Sequence, residues 1–245
     1  MPAYLFEPTP APQPGPAVLV LHGHVNAFEE GIAQTAGLTA SYHGGAALEL
    51  ARAGFRTLTL ELRGFGKLGA QAGLEHALVA HNALLQGSFY KAVLARDVKQ
   101  AVELLRSLPE VDPARVGITG ISFGAELALD YAALDPSIAA VALHGHGGDV
   151  GPVRGMEGNG PIHWCHLVPG HNRLLHLEDW YRLVAPRPLL VLRGSREGVA
   201  LDALAARVRP IYTALGTPEN FAARIEPGGH QFFAAPAVDF FRRHL

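Results

Sequence analysis

The 245-residue chain predicts an α/β fold, and three observations carry that expectation. Short runs of apolar residues recur along it, the first of them AVLVL at 17–21, and Gly or Pro punctuates them. Segments with the pattern of helices separate the runs. The runs are apolar throughout instead of alternating with polar residues, as strands of a mostly parallel sheet covered on both faces by helices must be.

The elements follow in order. An extended piece at 4–6 precedes a Pro-rich turn, and Pro16 and Gly23 bracket the strand at 17–21. A helix at 45–53 stops where Gly54 introduces the strand at 55–60. A longer helix at 89–107 ends before Pro109, and the strand at 115–119 leads through a Gly-containing turn into a helix at 123–134. Strands at 138–143 and 188–192 come next, then a helix at 201–215, a strand at 221–225 and a last helix at 236–243. Two connections, 61–88 and 144–183, exceed the roughly 2–6 residues usual in such folds, and long connections at strand ends tend to build the site. The chain reads as one domain, with 144–183 as an insertion expected to cover that site.

Composition narrows the function. With 49% hydrophobic and 17% charged residues the chain can bury a sizeable core. A formal net charge of −2, with no Lys and Arg run, gives no field for a phosphate backbone, so nucleic acid is excluded as a partner. The most apolar stretch, 121–143, is interrupted by Glu126, Asp130 and Asp135, so no membrane span is expected. Residues 1–16 lack the basic and apolar regions of a secretory signal, and the single Cys165 can form no internal disulfide; cytoplasmic residence is the expectation. Cys165 itself reads as a partly buried thiol in a His- and aromatic-rich segment rather than a nucleophile. Self-association is left open.

The chemistry begins at Gly120-Ile121-Ser122-Phe123-Gly124, which follows the strand VGIT and leads straight into the helical pattern AELALDYAAL. That is the strand, sharp turn, helix setting of a nucleophile elbow. Such a turn holds serine in a strained backbone conformation, and side chains in place of the glycines would collide with the flanking elements. A serine hydroxyl needs a neutral imidazole to take its proton, and His230, in the turn Pro227-Gly-Gly-His230 after the strand at 221–225, is placed for it. The imidazole needs a carboxylate between serine and histidine in chain order. Glu197, at the carboxyl end of the strand PLLVLR, is favoured over Asp202, which has the alternative use of capping the next helix. Donors for the tetrahedral oxyanion are assigned to the backbone N–H groups of Phe123 and of His24, in Leu21-His22-Gly23-His24.

These residues make the chain resemble the α/β-hydrolases of the dienelactone-hydrolase and acetyl-xylan-esterase-like group. The resemblance spans most of the sequence: LHGH at 21–24, ELARAGFRTLTLELRGFG at 49–66, GISFGAELAL at 120–129, APRPLLVLRG at 185–194 and PGGHQF at 227–232. It implies an α/β-hydrolase fold, a triad of Ser122, Glu197 and His230, and cofactor-free hydrolysis of short acyl or acetyl esters. The chain departs from the group's pattern in reduced N-terminal strands and in Glu at the acid position. Dienelactone hydrolases commonly carry a cysteine nucleophile where Ser122 stands, which disfavours a lactonase.

Two other classes compete. A prolyl-oligopeptidase-like peptidase or amidase shares the sheet and triad order, but no propeller precedes this domain. A catalytically inactive binding module of the same fold would have a broken triad, and none of its three members is missing here. His22-Gly-His24, His144-Gly-His146 and the stretch His163-Trp164-Cys165-His166 lie near strand ends or in the long connection, none with a complete ligand set at standard spacing, so neither metal nor cofactor is expected. His144 and His146 are expected to line the pocket, with Trp164, Leu167 and Trp180 covering it.

Overall fold

The computed structural model describes residues 1–10, 13–26, 29–72, 76–152 and 164–245. Among them seven strands form one sheet: β1 (Ala3–Phe6), β2 (Gly15–Leu21), β3 (Arg56–Leu60), β4 (Val111–Ile121), β5 (Val141–His144), β6 (Leu189–Gly194) and β7 (Phe221–Glu226), in the order β1-β3-β2-β4-β5-β6-β7. β1 runs antiparallel to β3, and every other pairing is parallel. The helices are α1 (Gly31–Thr35), α2 (Ala46–Arg52), α3 (Gly66–Ala72), α4 (His76–Leu85), α5 (Tyr90–Ser107), α6 (Phe123–Leu134), α7 (His171–Leu174), α8 (Leu177–Arg182), α9 (Asp202–Ala214) and α10 (Ala234–His244).

The unbroken apolar runs have a direct cause. β2 is buried at all seven positions, and its alternate side chains enter two different cores. Val18 and Val20 pack with Ala46, Leu50 and Phe240 of α2 and α10, whereas Ala17, Leu19 and Leu21 pack with Leu94, Val98 and Leu127 of α5 and α6. A strand covered on both faces has no solvent side on which to place polar residues. None of the described helices is long and apolar enough to cross a membrane.

The strand 115–119 begins four residues earlier than its apolar run. Gly15 pairs with Val111, then the register shifts so that Ala17 pairs with Val116, and the Asp112 carboxylate accepts from the Ala114 N–H at 3.0 Å within the displaced stretch. The connection 61–88 holds α3 and α4. The insertion 144–183 contains a 3₁₀ turn (Trp164–His166) and the short helices α7 and α8; residues 153–163, His163 included, lie outside the described residues. Arg56, on β3, is buried, donates through Nε to Glu7 at 2.6 Å and through Nη1 to the Glu110 carbonyl at 2.6 Å, and so ties the N-terminal segment to the start of β4.

Candidate active site

β4 ends at Ile121 and α6 begins at Phe123, with Ser122 between them at φ 58° and ψ −123°. It is the one described residue other than glycine with positive φ. Such a conformation costs on the order of 1–3 kcal/mol and persists only where the surroundings dictate it. Here they do. The Ser122 N–H donates to the His144 carbonyl at 2.8 Å, and its carbonyl accepts from Ala125 and Glu126 at 3.0 and 3.1 Å. A Cβ on Gly124 would collide with the carbonyls of Leu21 and His22, and one on Gly120 with the carbonyl of Gly124. The glycines are what let α6 start this close to β2.

His230 lies in the loop between β7 and α10, and its Nδ1 is 2.9 Å from Oε2 of Glu197, in the 3₁₀ turn that follows β6. Glu197 is held from two further directions: Oε1 accepts the Gly194 N–H at 2.7 Å, and Arg193 reaches Oε2 at 3.1 Å. The Glu197 side chain is 7% exposed and that of His230 41%, so the acid is enclosed while the imidazole stands at the opening. Asp202, by contrast, is exposed in the first turn of α9. Gly145, directly after β5, gives His230 its room, since a Cβ there would lie 2.6 Å from the imidazole Cε1.

The structure therefore joins Glu197 to His230 and brings both to the same, carboxyl edge of the sheet as Ser122, after β6 and β7, two and three strands from β4. Among the described residues no hydrogen bond links Ser122 to His230. The Ser122 side chain is instead faced by the hydroxyl of Tyr42, which donates to the His24 carbonyl at 2.6 Å and whose pKa burial pushes up to about 12. Gly23 separates the two: a Cβ on it would lie 2.5 Å from the Tyr42 hydroxyl and 2.9 Å from Ser122 Cβ. Tyr42 was not foreseeable, because it sits on a turn without motif or periodicity.

The loop carrying His24 is fixed by buried histidines. His43 Nε2 accepts the Gly23 N–H at 2.8 Å, and burial together with His22 pushes the His43 pKa down to about 3. His22, itself buried, accepts the Leu62 N–H at 3.0 Å and contacts Glu61 at 2.9 Å. The Phe123 N–H stands at the N-terminus of α6, and the rings of Phe123 and His24 are 4.8 Å apart.

His144 differs from its expected place. It does not line the pocket: it is fully buried, stacks on Phe232 at 4.0 Å and accepts the Phe233 N–H at 3.1 Å. The reason is that it closes β5, whose end is capped by the loop leading into α10. His146 does line a cavity, of about 440 Å³, together with Lys91, Glu126, Trp180, Tyr181 and Arg193. Trp164 is half-exposed against His81 and lies outside that lining. Lys91 pairs with Glu126 and with Asp130, and His166 bonds Glu126 at 2.6 Å. Burial opposes the charge on Glu126, but Lys91 and His166 outweigh it and hold its carboxyl well below the usual range. Cys165, expected to be partly buried, is fully buried.

Sheet order, elbow and histidine–carboxylate pair together define a hydrolase of the α/β-hydrolase fold. The acetyl xylan esterase (AXE1) family model matches residues 2–144, and the chain belongs to that family. It is 24% identical over 238 residues to a Bacillus subtilis (strain 168) protein named "Putative hydrolase YtaP", covering 94% of this chain and 77% of that one. Among solved structures it is similar to a Bacteroides fragilis NCTC 9343 protein described as a "putative acetyl xylan esterase", with TM-score 0.74 and 19% identity over 96% of this chain; this chain spans 64% of that one. A glucuronoyl esterase from Solibacter usitatus matches with TM-score 0.71 and 16% identity, over 98% of this chain and 76% of the other.

Proposed function

We propose that the chain is a serine carboxylesterase that removes short acyl groups, of the acetyl type, from polar alcohols such as carbohydrates. The observation that carries this reading is the His230–Glu197 pair at 2.9 Å, standing beside a serine held at φ 58°. Family membership gives the class of bond, and a cavity lined by charged and aromatic side chains, which Glu126 of α6 joins to the helix that starts at the elbow, suits a polar, ring-shaped leaving group.

In this mechanism Ser122 Oγ attacks the ester carbonyl while its proton passes to Nε2 of His230. The Nδ1–H remains on the imidazole and donates to Glu197, which fixes the tautomer and stabilises the imidazolium. The N–H groups of Phe123 and His24 receive the oxyanion. The tetrahedral intermediate expels the alcohol, which takes the proton from His230, and water activated by the same imidazole then releases the acyl group from Ser122. The Tyr42 hydroxyl spends its proton on the His24 carbonyl, so its oxygen holds the Ser122 hydroxyl until substrate brings the imidazole into reach. The described parts of the 144–183 connection, Trp180 and Tyr181 among them, cover the leaving-group side, and the lone thiol suits cytoplasmic residence.

The test is hydrolysis of p-nitrophenyl acetate, butyrate and octanoate, with a chromogenic peptide amide alongside, by the wild type and by Ser122→Ala. Ester turnover that favours acetate and disappears in Ser122→Ala is expected. Turnover that survives the substitution would refute the nucleophile, and preferential amide cleavage would transfer the site to the peptidase class.

A further inference from the structure

Three side chains from distant parts of the chain converge on one side of the elbow. His24 follows β2, His76 opens α4, and Cys165 lies in the 3₁₀ turn of the insertion. Their donor atoms all lie within 4.8 Å of one another, and His24 Nε2 is 3.3 Å from Cys165 Sγ. The sequence had grouped these residues differently, His24 with His22 and Cys165 with its own neighbours; the fold parts His24 from His22, leaves Cys165 in contact with His166 and adds His76.

The cluster is held in place by its surroundings. The His76 ring stacks on Phe65 at 4.7 Å with 15° between planes, and the His24 ring lies 5.0 Å from it and 4.8 Å from Phe123. Gly64 packs so closely on His76 that a Cβ would collide with the His76 backbone. Cys165 is buried, whereas the two histidines are half-buried, which leaves the cluster approachable from the imidazole side.

We propose that His24, His76 and Cys165 form a binding site for a thiophilic divalent cation of the zinc class. The donor set decides the class of ion. One thiolate and two imidazoles suit zinc and its soft neighbours and repel magnesium and calcium, which take oxygen ligands. Bond lengths of about 2.3 Å to sulfur and 2.0–2.1 Å to nitrogen put tetrahedral N and S ligands about 3.5 Å apart, close to the observed N–S separation. In this chain the ion ties the turn at 164–166 to the loop that carries the oxyanion donor, so it joins the cover to the catalytic floor.

The test uses the tag-free full chain, stripped with a chelator and dialysed. Cobalt(II) is titrated against the wild type, Cys165→Ser and His76→Gln, absorption is recorded, and zinc is measured by calorimetry and by metal analysis. The expected result is one equivalent per chain, with a thiolate-to-cobalt charge-transfer band in the near ultraviolet that Cys165→Ser abolishes. Each substitution is expected to weaken zinc binding by more than the roughly 10- to 100-fold that loss of a second-sphere partner costs. His76 is half-buried, so His76→Gln serves if Cys165→Ser does not fold. Absence of the band in the wild type, or zinc binding unchanged in His76→Gln, would overturn the site. None of these readouts uses ester turnover, so the proposal stands or falls apart from the esterase reading.

Discussion

His43 and His144 make stability depend steeply on pH. Both are fully buried, both accept a backbone N–H on one ring nitrogen, and burial pushes both pKa values to about 3. Protonating His144 would turn the acceptor of the Phe233 N–H into a donor facing a donor, and protonating His43 would do the same to Gly23. In the unfolded chain both titrate near 6.5, so between pH 6.5 and about 3 the unfolded state binds two more protons at these positions. Their contribution is complete above pH 6.5 and is lost as pH falls. Each proton is worth about 1.4 kcal/mol per pH unit once the unfolded imidazole is fully protonated, so the pair removes about 2.4 kcal/mol between pH 6 and 5, a large part of the 5–15 kcal/mol typical of a domain. His166, pushed up to about 10 mainly by its contacts with Cys165 and Glu126 against the effect of burial, adds no slope in this window, because it is protonated in both states below pH 6. The assay is urea unfolding at pH 7, 6, 5.5 and 5. His144→Asn keeps an acceptor for Phe233 but cannot titrate, and is expected to lower the slope by one proton. A slope in His144→Asn equal to that of the wild type, or stability flat between pH 7 and 5, would refute the reasoning.

Three further outcomes are expected. Glu197→Gln lowers kcat by roughly 10³- to 10⁴-fold through loss of the correct His230 tautomer, while Asp202→Asn leaves it unchanged; steady-state ester kinetics on both variants separate the two acids. Tyr42→Phe removes the bond to the His24 carbonyl and the neighbour of Ser122, at a cost of about tenfold in kcat/KM with the fold retained by circular dichroism. Ser122→Gly relieves about 1–3 kcal/mol of backbone strain and gives back about 0.5–1 kcal/mol through glycine's flexibility, so it melts above Ser122→Ala; the reverse order in thermal unfolding would show the elbow to be unstrained.

The strands and the elbow were legible because each has a local cause. β2 announces itself by being apolar at every position, and Gly120 and Gly124 mark the turn because nothing larger fits there. The pairing of His230 with Glu197 followed from chain order together with the place of Glu197 at the carboxyl end of a strand, which set it ahead of Asp202. What escaped is what depends on distant chain segments meeting. The helices α3 and α4 were read as a loop, since in α4, HALVAHNALL, the apolar residues do not gather on one face. His144 was expected in the pocket because it ends a strand on the catalytic side, and only the approach of Phe232 and Phe233 buries it. Tyr42 and His76 belong to turns and helix starts whose neighbours are set by the fold, so no spacing rule could have grouped them with Ser122 or with Cys165.

The buried guanidinium of Arg56 gives the first residues an importance that their exposed position hides. Its charge is answered by Glu7 and by the Glu110 carbonyl, and β1 occupies the outer edge of β3 alongside it. An expression boundary or a protease cut just after Glu7 would strand a cation in the sheet and bare an edge able to pair with another chain. Shortened forms of this protein should therefore fail by self-association before they fail by losing any residue of the site.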